Sequence, residues 1–133
     1  MTDCYSEKGN NITVLTGKNF NGSTIRNGEP GLLHVFANWC SHCISKVDNM
    51  LCLADAVKEE GWKIYCMDGS LPENNQAAIA LDIQHFPMFF TVSSGGKTTK
   101  LDVNNVEGAV EGMCNANPKK CKILNTKFNS CKK

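Results

Sequence analysis

The sequence predicts an α/β domain in which parallel strands joined by helices are closed by an antiparallel hairpin and a last helix, leaving a central mixed β-sheet flanked by helices. Three observations carry that reading. Leu32-Leu33-His34-Val35-Phe36-Ala37 is a nearly continuous apolar run, as a central strand buried on both faces requires. Apolar side chains at helical spacing follow at once, in Ile44, Val47, Leu51 and Ala54. Further on, Met88-Phe89-Phe90-Thr91-Val92 and Lys97 to Leu101 flank the turn signal Ser93-Ser94-Gly95-Gly96.

Taken in order, Ile12-Thr13-Val14-Leu15 is a short β-prone run closed by Gly17. Phe20 to Arg26 is a helical turn or loop ahead of the breaker Asn27-Gly28-Glu29-Pro30-Gly31. The helix that starts at Cys40 should run to Gly61, with Met50, Leu53 and Val57 widening its apolar stripe. At about 100° per residue, Asp48, Cys52, Asp55 and Glu59 share the opposite, polar face. Lys63 to Asp68 reads as a second buried strand. Pro72 to Leu81 reads as a helix, with proline near its start and an Ala-rich interior. Val103, Val106, Val110 and Met113 form the stripe of the last helix.

A chain of 133 residues, 41% hydrophobic and 20% charged, suits one domain with its own core. Residues 1–117 are expected to form it, and residues 118–133 a basic, cysteine-containing tail. The net charge of +1 conceals an asymmetry: residues 1–117 carry 8 Lys and Arg against 13 Asp and Glu, whereas residues 118–133 carry 6 Lys and no acid. Such a tail folds back on the body, meets an acidic partner or stays solvated, and solvation is the default. Lacking a strong apolar period, it is expected to be dispensable for the chemistry of the body. No basic and aromatic interleaving accompanies the lysines, which argues against nucleic acid as a partner.

No stretch approaches the roughly 18 apolar residues of a membrane span, so no membrane partner is expected. The start, Met1 to Lys8, has neither the basic nor the apolar region of a signal peptide. These features predict a soluble, intracellular, cytoplasmic protein. The 15 asparagines and the excess of lysine over arginine are those of A/T-rich genomes, such as those of some protists and large DNA viruses. A virus particle or infected-cell cytoplasm is therefore within the expected range. The density of eight cysteines keeps an oxidising compartment open.

Only one cysteine pair, Cys40 and Cys43, has CxxC spacing, and a zinc ribbon would need a second, so no metal is expected. Cys66 alternates with Tyr65 and Met67 in an apolar strand and reads as a core residue. Cys52, between Asp48 and Asp55 on the polar face, reads as an exposed, sluggish thiol. Cys4, Cys114, Cys121 and Cys131 either staple the termini to the body, in one of three full pairings, or remain free.

Two cysteines separated by two residues at the first turn of a helix can close a small disulfide ring. When reduced, the first thiol faces unpaired backbone N–H groups that favour its thiolate. Cys40 is thus the expected attacking thiol and Cys43 the resolving one. His42 between them adds a donor that favours the reduced form and makes the disulfide a better oxidant.

Phe36-Ala37-Asn38-Trp39-Cys40-Ser41-His42-Cys43 resembles the active-site block of the thioredoxin family, including its protein disulfide isomerase branch. The resemblance spans about residues 10–114. Phe86-Pro87-Met88 is similar to the family's cis-proline segment, which packs beside the active site and presents backbone to an extended substrate. The resemblance implies a thioredoxin-like fold and thiol–disulfide exchange with cysteine-containing protein substrates, served by a reductase or oxidase partner. No cofactor is implied beyond the redox-active disulfide itself. Trp39, Phe86 and Pro87 would contact substrate. Reducing thioredoxins usually carry Gly-Pro between the cysteines and isomerases Gly-His; Ser41-His42 tilts towards an oxidant or isomerase and leaves the direction of electron flow open.

His34 stands where the family keeps a buried acid, six residues before the first cysteine, and the lysine often paired with that acid has no clear match. Either His34 is a core histidine, or it relays the proton of Cys43 as a buried, neutral base. The competing function is a redox-inert binding or assembly module that uses the cis-proline groove for partners.

Overall fold

A computed structural model of the chain describes residues 11–131. Five strands, β1 (Ile12–Val14), β2 (Gly31–Phe36), β3 (Lys63–Asp68), β4 (Met88–Val92) and β5 (Thr98–Leu101), form one sheet in the order β1-β3-β2-β4-β5. The first three are mutually parallel, while β4 runs antiparallel to β2 and β5 antiparallel to β4. This is the mixed α/β sheet that the sequence predicts. Every residue of β2 is buried, which is why its apolar run is nearly continuous.

The two faces of the sheet hold separate cores, sorted by alternation along the strands. Leu32, Phe36, Ile64, Cys66 and Phe89 face α2 (Val47–Val57) and α4 (Val106–Ala116), meeting Met50, Leu53, Val57, Val110 and Met113. Leu33, Val35, Tyr65, Met67 and Phe90 face the other way, onto Leu15, Phe20, Ile25 and α3 (Asn75–Ala80).

The helix expected from Cys40 to Gly61 is divided. A single turn, α1 (Ser41–Ile44), is followed by a break at Ser45 and Lys46 before α2 begins. There the Ser45 hydroxyl donates to the His42 carbonyl at 2.7 Å, and the Lys46 N–H donates to the Cys43 carbonyl at 3.0 Å. Both bonds reach back three residues and tighten the chain out of the α ladder. At the far end α2 tightens into a 3₁₀ turn, and Gly61, at φ 85°, stops it in the left-handed region that favours glycine.

Residues 118–131 are built into the domain. After a 3₁₀ turn at Pro118–Lys120, α5 (Cys121–Asn129) lies against both α2 and α4, burying Leu124 and Phe128. Those two residues, four apart, are the whole apolar stripe, too short to stand out as a period. Where solvation of the lysines was the default expectation, Lys120 and Lys127 fold back on the body. The Lys120 ammonium donates to the Glu60 carbonyl and sits 5.7 Å from the Trp62 ring centroid, and Lys127 pairs with the Glu60 carboxylate at 3.3 Å.

Two expectations about cysteines are corrected. Cys52 is bonded to Cys131 rather than being an exposed thiol, because α5 brings its C-terminal end against the middle of α2 (Cα–Cα 5.8 Å). Cys114 is bonded to Cys121 across the α4–α5 turn (Cα–Cα 4.5 Å), so the staple takes in Cys52 from outside the expected set. Cys66 is buried as a core residue should be, yet it too is disulfide-bonded. Cys4 lies outside the described residues.

Candidate functional site

The C-terminal end of β2 leads through Ala37, Asn38 and Trp39 into the cysteine pair. Cys40 is the N-cap of α1, with extended backbone (φ −87°, ψ 105°), and its Sγ accepts the N–H of Cys43 at 3.1 Å. The two sulfurs are joined in a disulfide, with the Cα atoms 5.2 Å apart. Cys40 retains 8% exposure and Cys43 none, so of the two residues only Cys40 touches solvent. His42 is exposed on α1.

Trp39 stands beside the pair at 70% exposure, an unusual position for so large an apolar group. Its indole meets the Phe86 ring edge to face, 5.7 Å between centroids. The Phe86–Pro87 bond is cis, and Pro87 is buried. Gly69, just after β3, is needed here, since a Cβ at that position would lie 2.8 Å from the Phe86 ring. Trp39, Gly69, Ile79, Ile83 and Phe86 contribute to the lining of a cleft of 440 Å³ that bears no acidic, lysine or arginine side chain. Ile79, 70% exposed on α3, and Ile83 were not singled out by the sequence; an isoleucine on the outer face of an Ala-rich helix was the available signal.

His34 is wholly buried on the sheet face that also packs against Cys43, between Cys66 and Phe89 on the neighbouring strands. Its ring stacks on Phe89 (4.9 Å) and on Phe36 (5.6 Å). Burial first, and the positive charge of Lys46 second, push its pKa down to about 3, so the ring is neutral at physiological pH.

The sequence profile of the thioredoxin family matches residues 11–115. The chain belongs to the thioredoxin family. That family is one of thiol–disulfide oxidoreductases, and Cys40 and Cys43 form a disulfide at CxxC spacing within the matched residues. Protein disulfide-isomerase 1 of Caenorhabditis elegans is 34% identical over 88 residues, 66% of this chain, and the chain spans only 18% of that relative's length. Mitochondrial thioredoxin 3 of Saccharomyces cerevisiae superposes with a TM-score of 0.62 at 18% identity, covering 78% of this chain and 94% of that one. The Trx4 domain of ERdj5 gives 0.63 at 13% identity, covering 80% and 96%. These neighbours establish the thioredoxin fold. The family match ends at residue 115, so α5 lies beyond it.

Among the described residues no helix is long and apolar enough to cross a membrane, and no group of His, Cys, Asp or Glu has the arrangement of a metal site.

Proposed function

We propose that this protein is a thiol–disulfide oxidoreductase for cysteine-containing protein substrates, working as an oxidant or isomerase through Cys40 and Cys43. One observation carries the reading: Cys40, which retains slight exposure, is bonded to the fully buried Cys43, beside an exposed tryptophan and a cleft lined mainly by apolar side chains together with Asn75, Gln84 and His85. In the oxidising direction a substrate thiolate attacks Cys40 Sγ, forms a mixed disulfide and expels Cys43 as the thiolate. A second substrate thiolate then attacks the substrate sulfur of that mixed disulfide and releases Cys40. Two electrons pass from the substrate dithiol to the pair, which an oxidase partner must reoxidise. In isomerisation the reduced Cys40 attacks a substrate disulfide, and Cys43 is the escape from a stalled intermediate.

The cleft beside Trp39 and Phe86 is suited to apolar side chains of an extended polypeptide. His34 is assigned to packing, since a base whose conjugate acid has a pKa of about 3 is poorly matched to a thiol proton. Two structural disulfides, Cys52–Cys131 and Cys114–Cys121, favour surroundings in which disulfides persist over the reducing cytoplasm expected from the sequence.

The test is the reduction potential of the Cys40–Cys43 pair in the whole protein, measured with exchange on a model dithiol. A value at about −180 to −120 mV is expected, and one near −270 mV would reverse the direction. Absence of exchange in the folded, oxidised protein would overturn the assignment.

A further inference from the structure

The Cys114–Cys121 disulfide spans seven residues and joins the last turn of α4 to the first residue of α5. Both cysteines line a cleft of 340 Å³ between the two helices. Cys114 retains 6% exposure, close to the 8% of Cys40, and Cys121 is half-buried. The polar groups around the bond are sorted by side. Glu107 and Glu111, exposed on α4, line the cleft and precede Cys114 by seven and three residues, on one face of the helix with it. On the other side the Asn125 amide, one turn along α5, donates to Cys121 Sγ at 3.4 Å. The neighbouring Lys120 ammonium is committed to the Glu60 carbonyl and Lys122 is exposed, so Asn125 is the group in contact with that sulfur. Negative charge on Cys114 is thus opposed by carboxylates, whereas on Cys121 it meets a hydrogen-bond donor already in place. The other bridge of α5 differs: Cys52–Cys131 spans 79 residues, and Cys52 stands between Asp48 and Asp55 on α2. That bond and the buried Leu124 and Phe128 hold α5 independently of Cys114–Cys121.

We propose that Cys114–Cys121 is a second redox-active disulfide, opened by dithiols at the α4–α5 cleft with Cys121 as the leaving sulfur. This goes beyond exchange at Cys40–Cys43, and Cys121 lies past the end of the family match. A thiolate of the dithiol attacks Cys114 Sγ, and the electron pair of the broken S–S bond passes to Cys121 Sγ, where the Asn125 amide receives it. The dithiol's second thiolate then attacks its own sulfur in the mixed disulfide, closes to a cyclic disulfide and expels Cys114, which takes up a proton. Two electrons pass from the dithiol to the pair. In the oxidised protein the bond clamps the α4–α5 turn; once it opens, the turn is freed while α5 stays docked through its other contacts.

The test titrates the whole native protein with dithiothreitol, alkylates the thiols that form and assigns them by peptide mass spectrometry. Cys114 and Cys121 are expected to be labelled at a dithiothreitol concentration about tenfold or more below that which opens Cys52–Cys131, with the circular dichroism of the fold unchanged. Asn125→Ala should shift the Cys114–Cys121 equilibrium towards the disulfide by about fivefold, the loss of one hydrogen bond, and Asn125→Asp by more, with Cys52–Cys131 unmoved. Opening of the two bridges together, or of Cys114–Cys121 only in denaturant, would overturn the proposal. Asn125 variants within about twofold of wild type would overturn Cys121 as the leaving sulfur. Labelling of Cys40 and Cys43 in the same titration reports on the first pair separately, so failure at one pair is distinguished from failure at the other.

Discussion

The same covalent bond is used in two ways, just before α2 and along it. At its entry, Cys40 and Cys43 are three residues apart, next to an exposed Trp39 and an open cleft. Along its middle, half-buried Cys52 is bonded to Cys131, 79 residues away, at the packed end of α5. In the chain-entropy view a bridge over three residues constrains the unfolded chain by about 1.5 kcal/mol and one over 79 by about 4.5 kcal/mol. Opening the first therefore takes little from the fold, whereas opening the second releases a helix. A disulfide meant to cycle is short and local; one meant to hold is long-range.

The sharpest break of the comparison is Cys43→Ser, which leaves no resolving thiol. Generic exchange is expected to fall to background and mixed disulfides to accumulate on Cys40, seen as thiol-labile adducts on a non-reducing gel. Failure to capture any adduct would remove the division of roles between the two cysteines. In wild type reduced at mildly acidic pH, iodoacetamide should label Cys40 first.

Next in size is the far bond. Replacing Cys52 and Cys131 by alanine is expected to lower stability by about 2–4 kcal/mol in urea titrations while exchange by the folded protein stays within about twofold. Truncation after Asn117 should cost more, because Leu124 and Phe128 leave the core together with the bond. Loss of exchange in a truncated chain that still folds would show that α5 belongs to the site as well as to the scaffold.

A smaller effect separates packing from proton transfer at His34. Its pKa is about 3 in the native state against an ordinary 6.5, so the unfolded chain takes up the proton first. The stability this contributes is fully present above about pH 6.5 and is lost as pH falls, at about 1.4 kcal/mol per unit in that window. Thermal melts between about pH 6.5 and 5 should show this slope, and His34→Leu should flatten it. The same variant should resolve a mixed disulfide at an unchanged rate; a tenfold slowing, within the range typical of general acid–base groups, would restore the proton relay.

The smallest expected effect is at the ion pair that helps α5 lie down. Lys127→Ala should cost no more than about 1 kcal/mol, reduced further by salt, because Lys127 and Glu60 remain partly exposed at 33% and 24%. A larger loss would mean that electrostatics, rather than the disulfides and the two apolar residues, holds the helix in place.

From residues alone the chain declared its five strands, its fold class and the Cys40–Cys43 pair at the start of a helix. These are local signals: periodicity, turn chemistry and a short motif whose spacing carries its own geometry. The partners of Cys52, Cys114 and Cys131 were not legible, because pairing depends on Cα distances across helices, which only the docking of α5 decides. The polar face of α2 likewise reported which side chains are hydrophilic and not what would cover them. Sequence determines which groups are available near one another along the chain. Tertiary structure decides which distant groups share a volume from which water is excluded, and there a bond becomes permanent or a charge becomes felt.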